Sequence, residues 1–398
     1  MSSDTLNGRG AIVDKRELGI YVHIPFCARK CSYCDFLSFP AGISVQEYYF
    51  KKLREEIASF SLSGDYEAVC VYFGGGTPSL PDPGQIVKTL DLIRETFTVS
   101  RDAEITIECN PGTLDRHRLE TYRRAGFNRL SIGLQSADDT LLGTLGRIHT
   151  FGTFRREYRE ARETGYDNIS IDLMYGLPNQ TLSSWKDTLE KTMELDPEHV
   201  SAYSLIIEEG TPFWDRYHED DEEKRRGSRP LFLPDEETEG KMLELLKSSL
   251  SDIGIYRYEI SSYAKPGYES RHNTGYWLRR EYAGFGLGAS GQIRDVRYRN
   301  RSGLEDYLKC TADTGYIEEK TTLTREDEIS ETMILGLRMI RGVDLIHFEE
   351  QFHVRAGDIF GEVIDRFCRA GLLEITDHCL RLTDRGFDVS NLVMCEFL

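Results

Sequence analysis

Long apolar runs are missing from this chain of 398 residues, in which hydrophobic residues make up 39% and charged residues 29%. A helix that spans a bilayer needs about 20 consecutive apolar residues, and no stretch of the sequence approaches that length. Residues 1–15 are polar and mixed in charge, so they lack the apolar stretch of a secretory signal. We therefore expect a soluble cytoplasmic protein that is not an integral membrane protein.

Basic residues are also scarce, since 49 Lys and Arg stand against 67 Asp and Glu and give a net charge of −18. Binding to a phosphate backbone depends on clustered Lys and Arg side chains. The composition therefore argues against nucleic acid as a partner, and an enzyme that acts on RNA is disfavoured for the same reason. The acidic excess is most simply explained by solubility.

A disulfide framework is not expected, because the nine cysteines are odd in number and a reducing cytosol keeps thiols free. Three of the cysteines lie close together near the start of the chain. The other six are scattered, and we expect them to be small core residues: Cys70, Cys109, Cys310, Cys368, Cys379 and Cys395.

The first half of the chain alternates between short apolar segments and segments with helical periodicity. Six strands are predicted, at residues 20–24, 68–73, 105–109, 129–134, 169–174 and 200–205. Successive βα units with right-handed crossovers predict an α/β fold, a parallel sheet that curls into a partial TIM-like (β/α)6 barrel. Active sites in such folds lie at the carboxyl ends of the strands.

The second half has a different character. The run HEDDEEKRRGSR at residues 218–229 is predicted to be a solvated loop or linker. Helical patterns return from Leu323, and short strands follow near Leu373 and Leu380, which is typical of a small, mainly helical, winged-helix-like domain. The predicted divisions are an N-terminal arm (1–18), the barrel (19–215), a linker and capping segment (216–300) and a C-terminal domain (301–398).

The clustered cysteines follow the first predicted strand directly, as Cys27-x-x-x-Cys31-x-x-Cys34. Thiolates are soft ligands that suit zinc or an iron–sulfur cluster. A structural zinc site wants four ligands, and only three cysteines lie here. Three cysteines can hold a [4Fe–4S] cluster and leave one iron open to another molecule. We favour the cluster, with zinc or ordinary core cysteines as the alternatives.

A glycine-rich segment, GGGTP at residues 74–78, follows the second predicted strand. Glycines after a parallel strand let the backbone approach a ligand closely. The alternative is a plain turn, which glycine also favours.

The cysteine spacing after a first barrel strand resembles the radical SAM superfamily. That resemblance implies that the open iron binds S-adenosylmethionine (SAM), the cofactor carrying the chemistry while the protein orients it. The segments YFGGGTPS, IECNPGTL, RLSIGLQS, IDLMYGLPNQT and HNTGYW resemble the oxygen-independent coproporphyrinogen III oxidase-like family. This likeness runs from about residue 19 to the C-terminus.

The resemblance implies roles for particular side chains. The cluster ligands are Cys27, Cys31 and Cys34; the SAM site comprises Tyr21, Gly75, Gly76, Thr77 and Glu108, with Gln135, Arg147 and Asp172 completing the pocket or holding a second SAM. A carboxylate suits an ammonium group or ribose hydroxyls, and an arginine suits a carboxylate. A surface charge is the alternative for Arg147, whereas carboxylates at strand ends inside a barrel need partners.

Two features bear on the branch of this family. In the oxidase that this family resembles, a fourth cysteine stands two residues after the third, whereas this chain has Phe36 there. Only 26 residues precede Cys27, whereas the oxidase has a longer N-terminal arm. In both features the chain resembles a heme chaperone branch of the family. That branch also has an H-N-x-x-Y-W motif associated with heme, which here begins at His272. A neutral imidazole is a good axial ligand for heme iron, although a structural histidine among aromatic residues is the alternative.

Two functions remain open from the sequence. The first hypothesis is a heme chaperone that binds heme and a SAM-ligated [4Fe–4S] cluster and delivers heme to an acceptor hemoprotein, such as a membrane-associated respiratory enzyme. The alternative is an enzyme, the oxygen-independent coproporphyrinogen III oxidase, which decarboxylates its porphyrin substrate oxidatively. Phe36 and the motif at His272 favour the chaperone.

Overall fold

The computed structural model describes residues 15–398, so the predicted N-terminal arm lies almost entirely outside the described residues. Six strands in the first half of the chain are connected by six helices, two of which lie between the fourth and fifth strands. The strands are β1 (Arg16–Ile24), β2 (Tyr66–Gly75), β3 (Thr98–Cys109), β4 (Arg129–Gln135), β5 (Ile169–Tyr175) and β6 (His199–Ser204). The helices are α1 (Ile43–Ala58), α2 (Pro83–Thr96), α3 (Arg116–Ala125), α4 (Asp139–Leu145), α5 (Phe151–Glu163) and α6 (Leu182–Met193).

The six strands lie side by side in the order of the sequence, and each pairs in parallel with the next. The predicted α/β fold with a parallel sheet is therefore confirmed. The sheet interior is apolar, and α1, α2, α3 and α5 bury apolar side chains against it. The carboxyl ends of the strands meet at one edge, where the register places Glu108 beside Ser131 and Asp172 beside Ser201.

The chain after β6 extends this sheet at both ends. Its elements are α7 (Pro212–Arg225), α8 (Glu236–Asp252), β7 (Tyr256–Arg257), β8 (Ser262–Ala264), α9 (Arg271–Trp277), β9 (Tyr282–Phe285), β10 (Ser290–Ile293), β11 (Val296–Asn300), α10 (Leu304–Lys309) and β12 (Ile317–Thr322). Strand β8 pairs antiparallel with β6, while β9 pairs in parallel with β1. The result is a 12-stranded sheet in the described residues, with β12 at one edge and β7 at the other.

The prediction of a loop for the charged run was wrong, because most of it forms the end of α7. Thr211 caps this helix by accepting from the backbone N–H of Trp214, and Pro212 occupies the first turn, where its missing N–H costs nothing. Phe213 is fully buried and anchors the helix to the barrel. Ion pairs one turn apart, such as Asp221 with Arg225, add support along the charged face.

The C-terminal part has its own apolar core, built from side chains between Ile329 and Phe397. Its elements are α11 (Arg325–Gly336), β13 (Val343–Asp344), α12 (Leu345–Phe352), α13 (Ala356–Arg369), β14 (Leu373–Thr376), β15 (Cys379–Leu382), α14 (Asp384–Asp388) and α15 (Ser390–Met394). The three short strands form one antiparallel sheet in the order β13-β15-β14. A mainly helical unit with a small sheet was predicted for the C-terminal region, but the predicted start at residue 301 is too early, because β12 belongs to the large sheet and Tyr307 to its core.

Candidate functional site

A cavity of about 680 Å³ runs through the barrel from the carboxyl ends of the strands. All residues predicted for the site line it: Tyr21, Cys27, Cys31, Cys34, Gly75, Gly76, Thr77, Glu108, Gln135, Arg147, Asp172 and His272. Phe36 also lines this cavity, and its side chain is 70% exposed. Residues from β1, the five following strands and α9 are therefore gathered around one space.

The three cysteines lie on the loop that follows β1, and all three thiols are free and partly exposed. The hydroxyl of Thr77 donates to Sγ of Cys27, and Nη1 of Arg147 donates to Sγ of Cys31, both over 3.6 Å. No group of His, Cys, Asp and Glu within residues 15–398 is placed to hold a single metal ion. The three free thiols on one loop fit a cluster, in which each thiolate would bind a different iron.

The glycine-rich segment packs directly against the cysteine loop. A Cβ atom at Gly76 would lie 3.0 Å from Sγ of Cys27 and 2.9 Å from the carbonyl oxygen of Phe26. Gly75 adopts a φ of +115°, which L side chains rarely tolerate. Its N–H donates to Oε2 of Glu108 over 3.1 Å. The segment thus packs closely between the cysteine loop and the third strand. A plain turn would not require this close packing.

This packing predicts the effect of Gly76→Ala. The added methyl group has no room beside the Cys27 sulfur, so we expect reduced incorporation of iron and sulfide during reconstitution, by about tenfold. The matched control is Gly143→Ala within α4, where a Cβ meets no atom within 4 Å. That control should keep the full iron content and gain a few tenths of a kcal/mol in unfolding free energy. Equal iron content in both variants would contradict the prediction.

Two carboxylates face the cavity from strands β3 and β5. Oε1 of Glu108 accepts from the Tyr72 hydroxyl over 2.8 Å, and burial raises the pKa of Glu108 to about 7. Both carboxylate oxygens of Asp172 accept from the Ser131 hydroxyl, over 3.2 and 3.3 Å. Burial also raises the pKa of Asp172, and the guanidinium of Arg129 opposes that shift. A buried acid with a raised pKa can bind a cationic group when it is ionised or donate a proton when it is protonated.

Arg147 bridges the strand ends and the cysteine loop, so it is more than a surface charge. Its Nη2 donates to Oδ1 of Asn110 over 2.6 Å and to the carbonyl oxygen of Gly133 over 2.7 Å, while Nη1 reaches Cys31. Gln135 lies at the end of the same strand and has a φ of +67°. A fixed guanidinium beside a cysteine sulfur stabilises the negative charge of a thiolate.

His272 reaches the cavity from α9 and lies deep among aromatic rings. Its ring centroid is 4.4 Å from that of Tyr72, with the planes nearly parallel, and 4.5 Å from that of Tyr276. Burial lowers the pKa of His272 to about 3, and the cations Arg129 and Arg280 add to the shift. The imidazole is therefore neutral near pH 7, the form in which a ring nitrogen can bind iron.

The motif around His272 is divided between two sides of α9. Asn273 and Tyr276 line the cavity with His272. Trp277 instead packs towards the C-terminal unit, where the guanidinium of Arg338 lies 4.2 Å from its ring centroid. The motif therefore contributes to the cavity and also connects the barrel to α11.

Arg129 and Tyr72 belong to the cavity but were not predicted from the sequence. A signal for Arg129 was present, because it is the one charged residue in RLSIGLQ, an otherwise apolar or neutral strand. A charge that enters a buried strand needs a partner, which makes it a candidate for a site.

Comparison with known proteins defines the class first. Residues 21–192 match the radical SAM superfamily, and residues 323–389 match the HemN C-terminal domain. A structure described as coproporphyrinogen III oxidase (HemN) from Escherichia coli superposes with a TM-score of 0.82, covering 96% of this chain and 90% of that chain at 24% identity. Together with the (β/α)6 barrel and the cysteine loop, these matches place the chain among radical SAM proteins.

The particular family follows from curated relatives named heme chaperone HemW. The protein from Bacillus subtilis is 37% identical over 95% of this chain and 98% of its own length. The protein from Lactococcus lactis is 36% identical over 95% of this chain and 96% of its own length. The chain therefore belongs to the HemW family. Among residues 15–398, no helix is long and apolar enough to cross a membrane.

Proposed function

We propose that this chain is a heme chaperone that binds heme, holds a [4Fe–4S] cluster and SAM, and passes heme to an acceptor hemoprotein. The observation that carries the proposal is the neutral His272 imidazole, which opens into the same cavity as the three cysteines. The proposal is supported by curated relatives that match nearly the whole chain and share the name heme chaperone.

Cys27, Cys31 and Cys34 would hold the cluster, and the iron that they leave free would bind SAM. When bound and reduced, such a cluster would supply one-electron chemistry at the sulfonium group of SAM. Thr77 and Arg147 donate to the cysteine sulfurs, which lowers the cost of holding them as thiolates. We assign the positions at Tyr21, Gly75, Gly76 and Glu108 to SAM.

The remaining predicted residues, Gln135, Arg147 and Asp172, would close this pocket or contact a second SAM. For Asp172 the support is its place in the cavity wall, where the Ser131 hydroxyl contacts both of its carboxylate oxygens. A carboxylate there suits the hydroxyls of a ribose or an ammonium group.

The imidazole of His272 would bind the heme iron from the aromatic side of the cavity. Tyr276 and Tyr72 flank this imidazole and offer apolar surface to a porphyrin. A cytoplasmic location and a membrane-associated respiratory acceptor stay predictions from the sequence.

One comparison of activities tests the proposed function. Anaerobically reconstituted protein is titrated with hemin, and the heme-loaded protein is mixed with an apo-hemoprotein to follow transfer by absorption. In parallel, the reconstituted protein is incubated with SAM, a reductant and coproporphyrinogen III. We expect heme binding and transfer without protoporphyrinogen formation. Failure of the wild-type protein to bind hemin, or steady decarboxylation, would replace the chaperone with another function.

A further inference from the structure

Arg129 is a buried cation that the protein itself leaves incompletely paired. It is the first residue of β4, its side chain is 2% exposed, and it lines the cavity. Within residues 15–398, its Nε atom has no hydrogen-bond partner. Arginine stays charged in proteins, and a buried charge without hydrogen bonds is costly. An incompletely paired guanidinium in a cavity wall therefore points to an anion that comes from outside the chain.

Glu104 is the acid nearest to this guanidinium, but it does not satisfy it. Oε2 of Glu104 lies 4.0 Å from Nε of Arg129, which is beyond hydrogen-bond distance. Oε1 of Glu104 already accepts from the backbone N–H of Arg271 over 3.1 Å. The pair is a distant ion pair, and it leaves the donors of Arg129 free to bind a second carboxylate.

The two carboxylates that reach the cavity from strands β3 and β5 are engaged elsewhere. Glu108 accepts from Tyr72 and from the backbone of Gly75, and Asp172 accepts from Ser131. Arg129 favours the ionised form of both acids, yet in the described part of the chain neither forms an ion pair with it within 4.0 Å.

A second buried arginine, Arg279, has closer acidic partners than Arg129. Nε of Arg279 also lacks a hydrogen bond, but Glu331 lies 3.5 Å from it and Glu328 lies 3.4 Å from Nη2. Arg279 therefore has two carboxylates of its own, whereas Arg129 has one distant carboxylate in the described residues.

We propose that Arg129 binds a carboxylate group of a ligand at the inner end of the cavity, and that this group is a propionate of heme. The assignment to heme rests on the proposed function. Arg129 and His272 line the same cavity, so one ligand in that cavity can contact both side chains. An arginine forms paired hydrogen bonds with a carboxylate, which would fix the orientation of the porphyrin.

The α-carboxylate of SAM is the other possible source of this group, and the position of Arg129 disfavours it. Arg129 and Gln135 stand at opposite ends of β4, about 20 Å apart along an extended strand. The cysteine loop and Arg147 lie at the end that carries Gln135. A SAM carboxylate bound to the open iron would therefore lie at the Arg147 end of the strand, whereas Arg129 extends from the opposite end.

The test compares hemin with hemin dimethyl ester, in which both propionates are esterified. We expect wild-type protein to bind hemin more tightly than the ester by about tenfold or more, the value of a charge-assisted hydrogen bond. Arg129→Gln should remove that preference, and Arg129→Lys should keep part of it. The matched control Arg279→Gln, which neutralises a buried arginine outside the cavity, should keep the preference in full.

The ratio of the two affinities within one variant separates the contact from a general loss of folding. A hemin preference that survives in Arg129→Gln overturns the assignment to a propionate. Affinity for SAM is measured in the same variants: a loss confined to SAM overturns the heme assignment and shows that SAM supplies the carboxylate. Absence of hemin binding by the wild type refutes the proposed function, and unchanged SAM affinity in Arg129→Gln then also refutes the carboxylate site.

Discussion

Replacement of Cys31 by serine is expected to remove most of the iron and sulfide from the reconstituted protein, by more than about tenfold. A serine oxygen is a poor substitute because iron–sulfur clusters select soft thiolate ligands. Two remaining cysteines would leave two irons open, and the Arg147 guanidinium would lose the sulfur to which it donates. Iron and sulfide are quantified after anaerobic reconstitution, and SAM affinity is expected to fall in parallel.

The matched control is Cys395→Ser, which makes the same change at an exposed cysteine near the C-terminus. This control should reconstitute like the wild type. If Cys31→Ser retained the wild-type content of iron and sulfide, Cys31 would not be a cluster ligand. A site that kept one zinc ion per chain in place of iron would contradict the cluster itself.

The second large effect is expected from His272→Ala, which should weaken hemin binding by about tenfold or more and change the absorption of the bound heme. The reason is the loss of a neutral imidazole that opens into the cavity. Free imidazole added to this variant should restore the spectrum of the wild type in part, since it can occupy the space that the side chain leaves.

Two controls separate ligation from packing, because His272 also stacks on Tyr72. His347→Ala changes an exposed histidine on α12 and should bind hemin like the wild type. His272→Gln fills most of the volume without a good iron ligand, so it should fold normally and still bind hemin weakly. Wild-type hemin affinity and spectrum in His272→Gln would show that another group binds the iron.

The carboxyl-end residues of the barrel could be predicted without the structure. Alternating strand and helix patterns imply a parallel sheet, and in such a sheet the strand ends meet at one edge. The order of strands and helices along the chain is sufficient to bring three of these residues together: Cys27 after β1, Gly76 after β2 and Glu108 at the end of β3. The cysteine spacing also indicated the class of cofactor, because it depends only on neighbouring residues.

The charged segment of α7 shows where local patterns misled. Many charges with little apolar periodicity predicted a loop, since most of the side chains face solvent. The helix exists because Thr211 caps it and because Phe213 finds a fully buried place against the barrel. Whether such an anchor is buried depends on its tertiary surroundings.

The sequence by itself determined the cysteine loop, the family and the barrel edge that carries the predicted SAM residues. Only the tertiary structure decided that His272 enters the same cavity, because β9 pairs with β1 across a long stretch of chain and α9 packs on β2. The same packing places Tyr276 in the cavity wall and Trp277 against Arg338. It also leaves Arg129 without a close carboxylate in the described residues. Long-range pairing and burial set these relations, and neither is encoded in the spacing of nearby residues.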